Sequence, residues 1–299
     1  MRHHVSTPVL DIAFDQYAEP SGWPVVLLHG FPYDVHVYED VGPLLAAQGA
    51  RVVVPFLRGY GDTRYRHAAT LRSGQQGALG ADLLALLDAL NIERAILGGH
   101  DWGGRAACIV SALWPERVAG LATVNGYNIQ DIAGAAKPMP PESEHRAWYV
   151  FYFQAERGRR GLAENRRPLC RLLWQLWSPT WAFDDATFER SAAAFDNPDF
   201  VETVIHSYRH RHGLVAGDPA YEEIERRLAA RPSIGVPTVH LDGLDDGVSA
   251  TYGGSSRHAE HFTGGYEHRQ VEGAGHNLPQ EKPAVFAQAI LDLRGMNSR

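Results

Sequence analysis

Short runs of Val, Ile and Leu recur along this chain, each followed by residues at helical spacing, and that alternation admits few architectures. From Trp23 onward the runs are Pro24-Val-Val-Leu-Leu28, Arg51-Val-Val-Val-Pro-Phe-Leu57, the segment from Arg94 to Gly98, and Val118 to Val124. Runs that are apolar throughout belong to strands covered on both faces, the condition of a parallel sheet between helical layers. Between the second and third, Ser73 to Leu90 places Leu79, Leu83, Leu86, Leu87 and Leu90 three and four apart, the stripe of an amphipathic helix. Val9 to Tyr17 reads as an added antiparallel edge strand. The chain's 299 residues allow one large α/β domain, or one domain with a substantial insertion.

The pattern breaks after Tyr127. Pro138, Pro140 and Pro141 form a linker-like run, and the following hundred or so residues read as helical, rich in Arg and aromatics, with Trp148, Trp174, Trp177 and Trp181 among them. Strand character returns at Val236 to Leu241 and Tyr266 to Val271, before a closing helix from Pro283 to Leu293. The expected organisation is a core of residues 1–129 and 231–299 interrupted by a helical cap at 130–230. Its aromatic content predicts an apolar face toward any ligand.

Composition removes several functional classes. Lys and Arg number 28 against 35 Asp and Glu, a net charge of −7, which leaves no electrostatic footprint for nucleic acid or an anionic membrane. The two cysteines, Cys108 and Cys170, lack ligand or disulfide-framework spacing and read as buried apolar residues. The first residues carry no apolar run of a signal peptide, and the most apolar stretch, Ala78 to Leu90, is broken by Asp82 and Asp88. A soluble cytoplasmic protein is expected.

The segment Gly98-Gly99-His100-Asp101-Trp102-Gly103-Gly104 follows a strand and opens a helix over Arg105 to Leu113. Small residues on either side of Asp101 let the chain turn sharply and lift that side chain into a cleft. The free N–H groups and dipole of the helix start favour an ionised carboxylate there. An ordinary capping aspartate has the same local signature, so other segments decide. His276 lies in Gly273-Ala-Gly-His-Asn, after a strand and before a helix, and the strand ending at Leu241 runs into Asp242, Asp245 and Asp246. Reactive groups of open α/β sheets collect at such strand ends, so aspartate, acid and histidine in this chain order can converge.

Together with His29-Gly-Phe-Pro32 and the Arg58-Gly-Tyr-Gly61 turn, these segments resemble the α/β-hydrolase fold. Within it they resemble the branch of aspartate-nucleophile epoxide hydrolases shared with haloalkane and haloacetate dehalogenases. The resemblance covers nearly the whole chain. It implies an oxyanion hole from the N–H groups of Phe31 and Trp102, a cis Phe31–Pro32 bond, and a His29 that supports the loop. It also selects Asp246, through the spacing Gly243-x-x-Asp, as the partner of His276, with Asp242 and Asp245 near enough to compete. A carboxylate that attacks saturated carbon forms a fairly stable alkyl ester, whereas attack on a carbonyl would give a reactive anhydride. Asp101 therefore points to displacement at an sp³ centre, followed by ester hydrolysis with His276 as base.

An epoxide oxygen needs a proton donor such as Tyr, while a halide needs only N–H donors. One helix is expected from Glu144 to Arg157, carrying Tyr149 and Tyr152 on one face. A second starts at Asn197-Pro198, Asn capping, and carries Tyr208. The motif Tyr-x-x-Tyr-Phe-Gln resembles the epoxide hydrolase cap segment, which selects Tyr149 as the first ring-opening Tyr and Tyr208 as the second. Phe31, Trp102, Tyr149, Tyr152 and Tyr208 are the expected substrate contacts. Haloalkane or haloacid dehalogenation is the alternative on the same machinery: Arg105 matches half of the haloacetate enzymes' arginine pair, but Trp102, Val150 and Phe151 replace other residues of that pattern. Arg105 is accordingly assigned to a structural ion pair. A non-catalytic ligand-binding homologue is the alternative of another class. Epoxide and water are the expected partners, with no cofactor and no metal. His206 and His210, four apart on a helix, have no third ligand and read as a solvated face.

Overall fold

The computed structural model describes residues 2–248 and 255–297. Its strands are β1 (Arg2–Ser6), β2 (Leu10–Tyr17), β3 (Trp23–Leu28), β4 (Ala50–Pro55), β5 (Arg64–Tyr65), β6 (Ala95–Gly99), β7 (Val118–Val124), β8 (Thr238–Gly243) and β9 (Tyr266–Val271). They form one sheet in the order β1-β2-β4-β3-β6-β7-β8-β9, with β5 also pairing β2. Pairings of β2 are antiparallel, and every pairing from β4 across to β9 is parallel.

The runs read as buried strands are buried. Val25, Val26, Leu27 and Leu28 are all at 1% exposure or less, as are Val52 to Val54. Two helical layers cover them. One holds α1 (Val41–Ala46) and α12 (Pro283–Asn297), packed together; the other holds α2 (Gln76–Ala89) and α3 (Asp101–Leu113). Leu79, Leu83, Leu86 and Leu87 of α2 are buried, as their spacing requires. Between β7 and β8 the chain inserts α4 (Pro141–Arg146), α5 (Trp148–Gln154), α6 (Glu156–Glu164), α7 (Arg166–Trp177), α8 (Asp185–Ala192), α9 (Phe200–His210) and α10 (Glu222–Ala229). The short α11 (Leu278–Glu281) follows the His276 loop. No helix among the described residues is long and apolar enough to cross a membrane.

Several sequence expectations shift. β2 is antiparallel but is not the edge, because β1 pairs along it; β1 alternates exposed and half-buried residues and carries no apolar signal. β8 begins two residues after Val236, since Pro237 has no N–H to give a ladder. The helix expected over Glu144 to Arg157 is three helices. Ala155 is extended, at φ −88° and ψ 156°, and α6 folds back so tightly that a Cβ on Gly158 would stand 1.7 Å from the Tyr152 carbonyl oxygen. Asn197 does not cap α9, which starts at Phe200. Its amide instead donates to the Gly61 and Thr63 carbonyls at 3.1 and 2.8 Å, tying the insertion to the turn after β4.

Strand order reverses at β3, which has β4 on one side and β6 on the other. The loops leaving the C-terminal ends of β3 and β6 therefore diverge, and the crevice between them is where open α/β sheets place ligands.

Candidate active site

Asp101 is the first residue of α3, directly beyond β6, with φ +51°. A non-glycine residue in that region costs on the order of 1 kcal/mol, so neighbouring packing must hold it there. Two glycines make that packing possible. A Cβ on Gly103 would lie 2.0 Å from the Leu28 carbonyl oxygen, and one on Gly30 would lie 2.4 Å from the Asp101 Cβ. With hydrogen at both positions, the end of β3 presses onto the turn, and the Phe31 N–H donates to Asp101 Oδ1 at 2.7 Å. The Trp102 N–H lies in the first turn of α3, where a helix leaves its amides without an intrahelical acceptor. Phe31–Pro32 is cis. His29 sits under this loop, its Nδ1 3.0 Å from the Gly30 oxygen and its Nε2 accepting from the Leu57 N–H. Burial lowers its pKa to about 4, so the ring is neutral.

His276 faces the aspartate from the loop after β9. Its Nδ1 is 2.9 Å from Asp246 Oδ2, and its Nε2 is 4.0 Å from Asp101 Oδ2 with no hydrogen-bond partner among the described residues. Asp246 is buried. It accepts from Asn125 Nδ2 at 2.8 Å and from the Val248 N–H at 2.6 Å, which fixes its plane. Burial opposes the charged imidazole of His276, but Asp246, then Asp101 and Glu281, outweigh it and leave the pKa raised above 6.5. The other two acids are engaged elsewhere. Asp242 joins His240 and His268 at 3.0 and 2.8 Å, and Asp245 accepts from the Thr180 hydroxyl.

Asp101, Asp246, His276 and Tyr149 line one cavity of about 780 Å³, within the size range of small-molecule sites. Tyr149 and Tyr208 come from α5 and α9 and meet edge to face at 5.6 Å. Tyr208, 1% exposed, packs behind Tyr149 against Phe31 and Phe153. Phe31 and Trp102 stack at 5.9 Å, both fully buried and neither lining the cavity, and the contact Phe31 makes with Asp101 is through its backbone N–H. Tyr152 is not brought to the cavity. Its ring packs on Trp148, and its hydroxyl lies where a Cβ on Gly161 would be 1.8 Å away.

The insertion turns a mainly apolar face to the cavity, through Ala135, Pro138, Met139, Tyr149, Val150 and Phe151, with Lys137, Glu144, Arg211 and His212 set among them and Arg105 on the core side. Arg105 Nε donates to the Asn128 carbonyl at 3.4 Å. His206 and His210 stack at 5.7 Å, but His206 is not merely solvated: it accepts from the Gly74 N–H and meets the Ala216 carbonyl, joining α9 to the segment before α2. Among the described residues the group best suited to a metal is His240, Asp242 and His268, whose ligand atoms lie within 4.8 Å of one another and are joined by hydrogen bonds.

Three positions escaped the sequence reading. Asn125 supports Asp246 from the end of β7, and an Asn-Gly pair closing a strand, Asn125 at φ +64°, was the available signal. Trp177 accepts the His276 N–H on its carbonyl and sets its ring against the imidazole at 5.2 Å. Arg211 enters the cavity from the far end of α9. Neither Trp177 nor Arg211 has a local sequence signature.

The chain belongs to the α/β-hydrolase fold family, whose model matches residues 24–283. Epoxide hydrolase A of Mycobacterium tuberculosis is 29% identical to it over 94% of this chain and 93% of its own length. The AB hydrolase superfamily protein YfhM of Bacillus subtilis is 27% identical over 90% of this chain and 88% of its own. A Klebsiella pneumoniae protein of known structure, provisionally named an epoxide hydrolase, superposes with a TM-score of 0.94 at 45% identity, covering 98% of this chain and 96% of that one.

Proposed function

We propose that this protein hydrolyses an epoxide to a vicinal diol through an ester on Asp101. The observation that carries the reading is the placement of the two Asp101 oxygens: Oδ1 is held by the Phe31 N–H, while Oδ2 faces the cavity and His276 Nε2. A carboxylate held this way presents one oxygen in a fixed direction, which suits attack on a strained ring carbon. As the C–O bond of the ring breaks, Tyr149, with Tyr208 behind it, gives a phenolic proton to the leaving oxygen. The product of this step is a hydroxyalkyl ester of Asp101.

In the second step His276 Nε2 takes a proton from water, and the hydroxide attacks the ester carbonyl carbon. The 4.0 Å gap to Asp101 brings that base close to the reacting carboxyl group. Negative charge collects on the oxygen facing the Phe31 and Trp102 N–H groups, and Asp246 stabilises the imidazolium. Collapse expels the diol and restores the carboxylate; the imidazolium and the tyrosine recover their starting states by proton transfer with the product and solvent. The name of the Mycobacterium tuberculosis relative, epoxide hydrolase A, supports an epoxide as substrate.

His276→Ala separates the two steps. After incubation with styrene oxide, intact-protein mass spectrometry is expected to find an adduct of one substrate mass, and peptide mass spectrometry after proteolysis to place it on the peptide containing Asp101. Unmodified protein that still forms diol would overturn the reading.

A further inference from the structure

His276 and Asp246 act as a pair in the proposed ester hydrolysis, on which the assignment below rests, yet they stand on separate loops, one after β9 and one after β8. Two hydrogen bonds join the loops directly: the Leu244 N–H donates to the Val271 carbonyl at 3.0 Å and the Asp245 N–H to the Ala274 carbonyl at 2.9 Å. The insertion adds a third tie. Trp177 is the last residue of α7, and a helix leaves the carbonyls of its final turn without an intrahelical donor. The Trp177 carbonyl accepts from the Gly247 N–H at 2.9 Å and from the His276 N–H at 3.1 Å. One oxygen atom of the insertion therefore spaces the residue after the acid from the base itself.

The residues on either side of His276 are held as well. The Asn277 N–H donates to Ser178 Oγ at 3.2 Å, the Ser178 hydroxyl donates to Glu281 Oε1 at 2.7 Å, and Glu281 Oε2 accepts from the Gly275 N–H at 2.7 Å. Three consecutive amides, 275 to 277, thus end on the Glu281 carboxylate, the Trp177 carbonyl and the Ser178 hydroxyl. Ser178 is 1% exposed and Asn277 is fully buried, so removing a partner here leaves a buried polar group unsatisfied. Glycine permits the close approach of α7 to both loops. A Cβ on Gly247 would stand 2.1 Å from the Leu176 carbonyl oxygen, and one on Gly275 would stand 2.5 Å from the Ser178 Cα.

We infer that Ser178 and Glu281 are positioning residues for His276, clamping the backbone of its loop against the end of α7 so that the imidazole is delivered to the ester. With the amides of 275 to 277 fixed, the imidazole keeps only its side-chain torsions, and the 2.9 Å bond from Nδ1 to Asp246 sets those. Nε2 is thereby held 4.0 Å from Asp101 Oδ2. A base displaced by even about 1 Å loses much of its effective concentration at the reacting group. Neither Ser178 nor Glu281 lines the cavity among the described residues, and ester formation draws on Asp101 and Tyr149. Loosening the clamp therefore acts on the second step and spares the first, whereas a residue that served stability alone would move both steps or neither.

The test measures the two half-reactions separately, by rapid mixing with styrene oxide, acid quenching and mass spectrometry of the esterified protein. Ser178→Ala is expected to slow decay of the ester roughly tenfold while its formation stays within about twofold, so that the esterified fraction rises in the steady state. Glu281→Ala should behave likewise. Glu281→Gln, which keeps an acceptor for the Gly275 N–H, should recover most of the loss. Equal losses in both half-reactions, or an unchanged decay, would overturn the assignment. The bond between Asp246 and His276 gives a readout that needs no turnover. Its Nδ1 proton, identified as the downfield resonance absent from His276→Ala, is expected to be sharp in the wild type and broadened by solvent exchange in Ser178→Ala; an identical signal in the two would overturn the clamp. Wild-type protein that forms neither ester nor diol would sink the epoxide chemistry, and that resonance would still decide the clamp. If Ser178→Ala fails to fold, Glu281→Ala set against Glu281→Gln carries the same two measurements with the same deciding outcomes.

Discussion

The two sides of the cavity are built by different means. On the sheet side, backbone sets the position of each reactive atom: the turn at Asp101, the Phe31 N–H, and the loop that brings His276 onto Asp246. On the side of the inserted helices, side chains set each other, Tyr149 against Tyr208 and Trp177, and Arg211 on the Tyr208 ring. The sheet side can thus support one chemical sequence while the inserted side varies what is accepted. In the proposed reaction, activation rests on loops fixed at strand ends, and selection on packing that another set of aromatics and charges could replace.

The sharpest break in that comparison would come from Asp246. Asp246→Asn removes the group that holds the imidazole tautomer, and diol formation is expected to fall on the order of 10⁴-fold. Asp245→Asn, altering an acid bonded to the exposed Thr180, should stay within about twofold. Steady-state kinetics of the pair checks both, and equal losses would erase the assignment. The inserted side should respond less. Tyr149→Phe removes a proton donor from the cavity wall and is expected to cost roughly 10²-fold in single-turnover ester formation. Tyr152→Phe, whose hydroxyl lies against Gly161, should be near wild type.

The smallest effect concerns pH. The raised pKa of His276 means that the neutral base is lost as pH falls through a value above 6.5. Asp101 contributes to that elevation, and esterification removes its charge. Stopped-flow decay of the ester should therefore show its acid-limb inflection at lower pH than titration of His276 in the free enzyme. An inflection at higher pH would show that Asp101 is not what neutralises.

Legibility in the sequence divides along the same line. β7 begins and ends where its apolar run does, because a parallel strand buried on both faces leaves little choice of residue, while β9, at the sheet's edge and mostly polar, keeps the bounds Tyr266 to Val271 without such a run. Asp101, His276 and the Phe31 loop were readable because a sharp strand-to-helix turn needs glycine at defined offsets. The insertion was readable as helical and aromatic, but not in its breaks, since nothing in Glu144 to Arg157 marks a reversal at Ala155 except a glycine three residues later. Counting aromatics implied an apolar ligand face, and the insertion does turn mainly apolar residues to the cavity, but which polar side chains stand among them, Arg211 for one, was not readable. Choosing among Asp242, Asp245 and Asp246 rested on a spacing that resemblance supplied. In the structure it follows from which carboxylate the end of β8 turns toward His276, a matter of register with β9 that local sequence does not encode.

Trp174 of α7 donates its indole N–H to the Pro32 carbonyl at 2.8 Å, and both residues lie under other side chains. Lifting α7 from the β3 loop would strand a buried donor and acceptor, so this margin is a fixed seam and not a hinge. Residues 134–139 also border the cavity, with Ala136 to Pro138 exposed, and offer a passage that leaves this seam closed. Entry and departure would then be governed by a short proline-bearing strip of connecting chain, and the dwell time of a diol set there, without the nucleophile or its loop having to move.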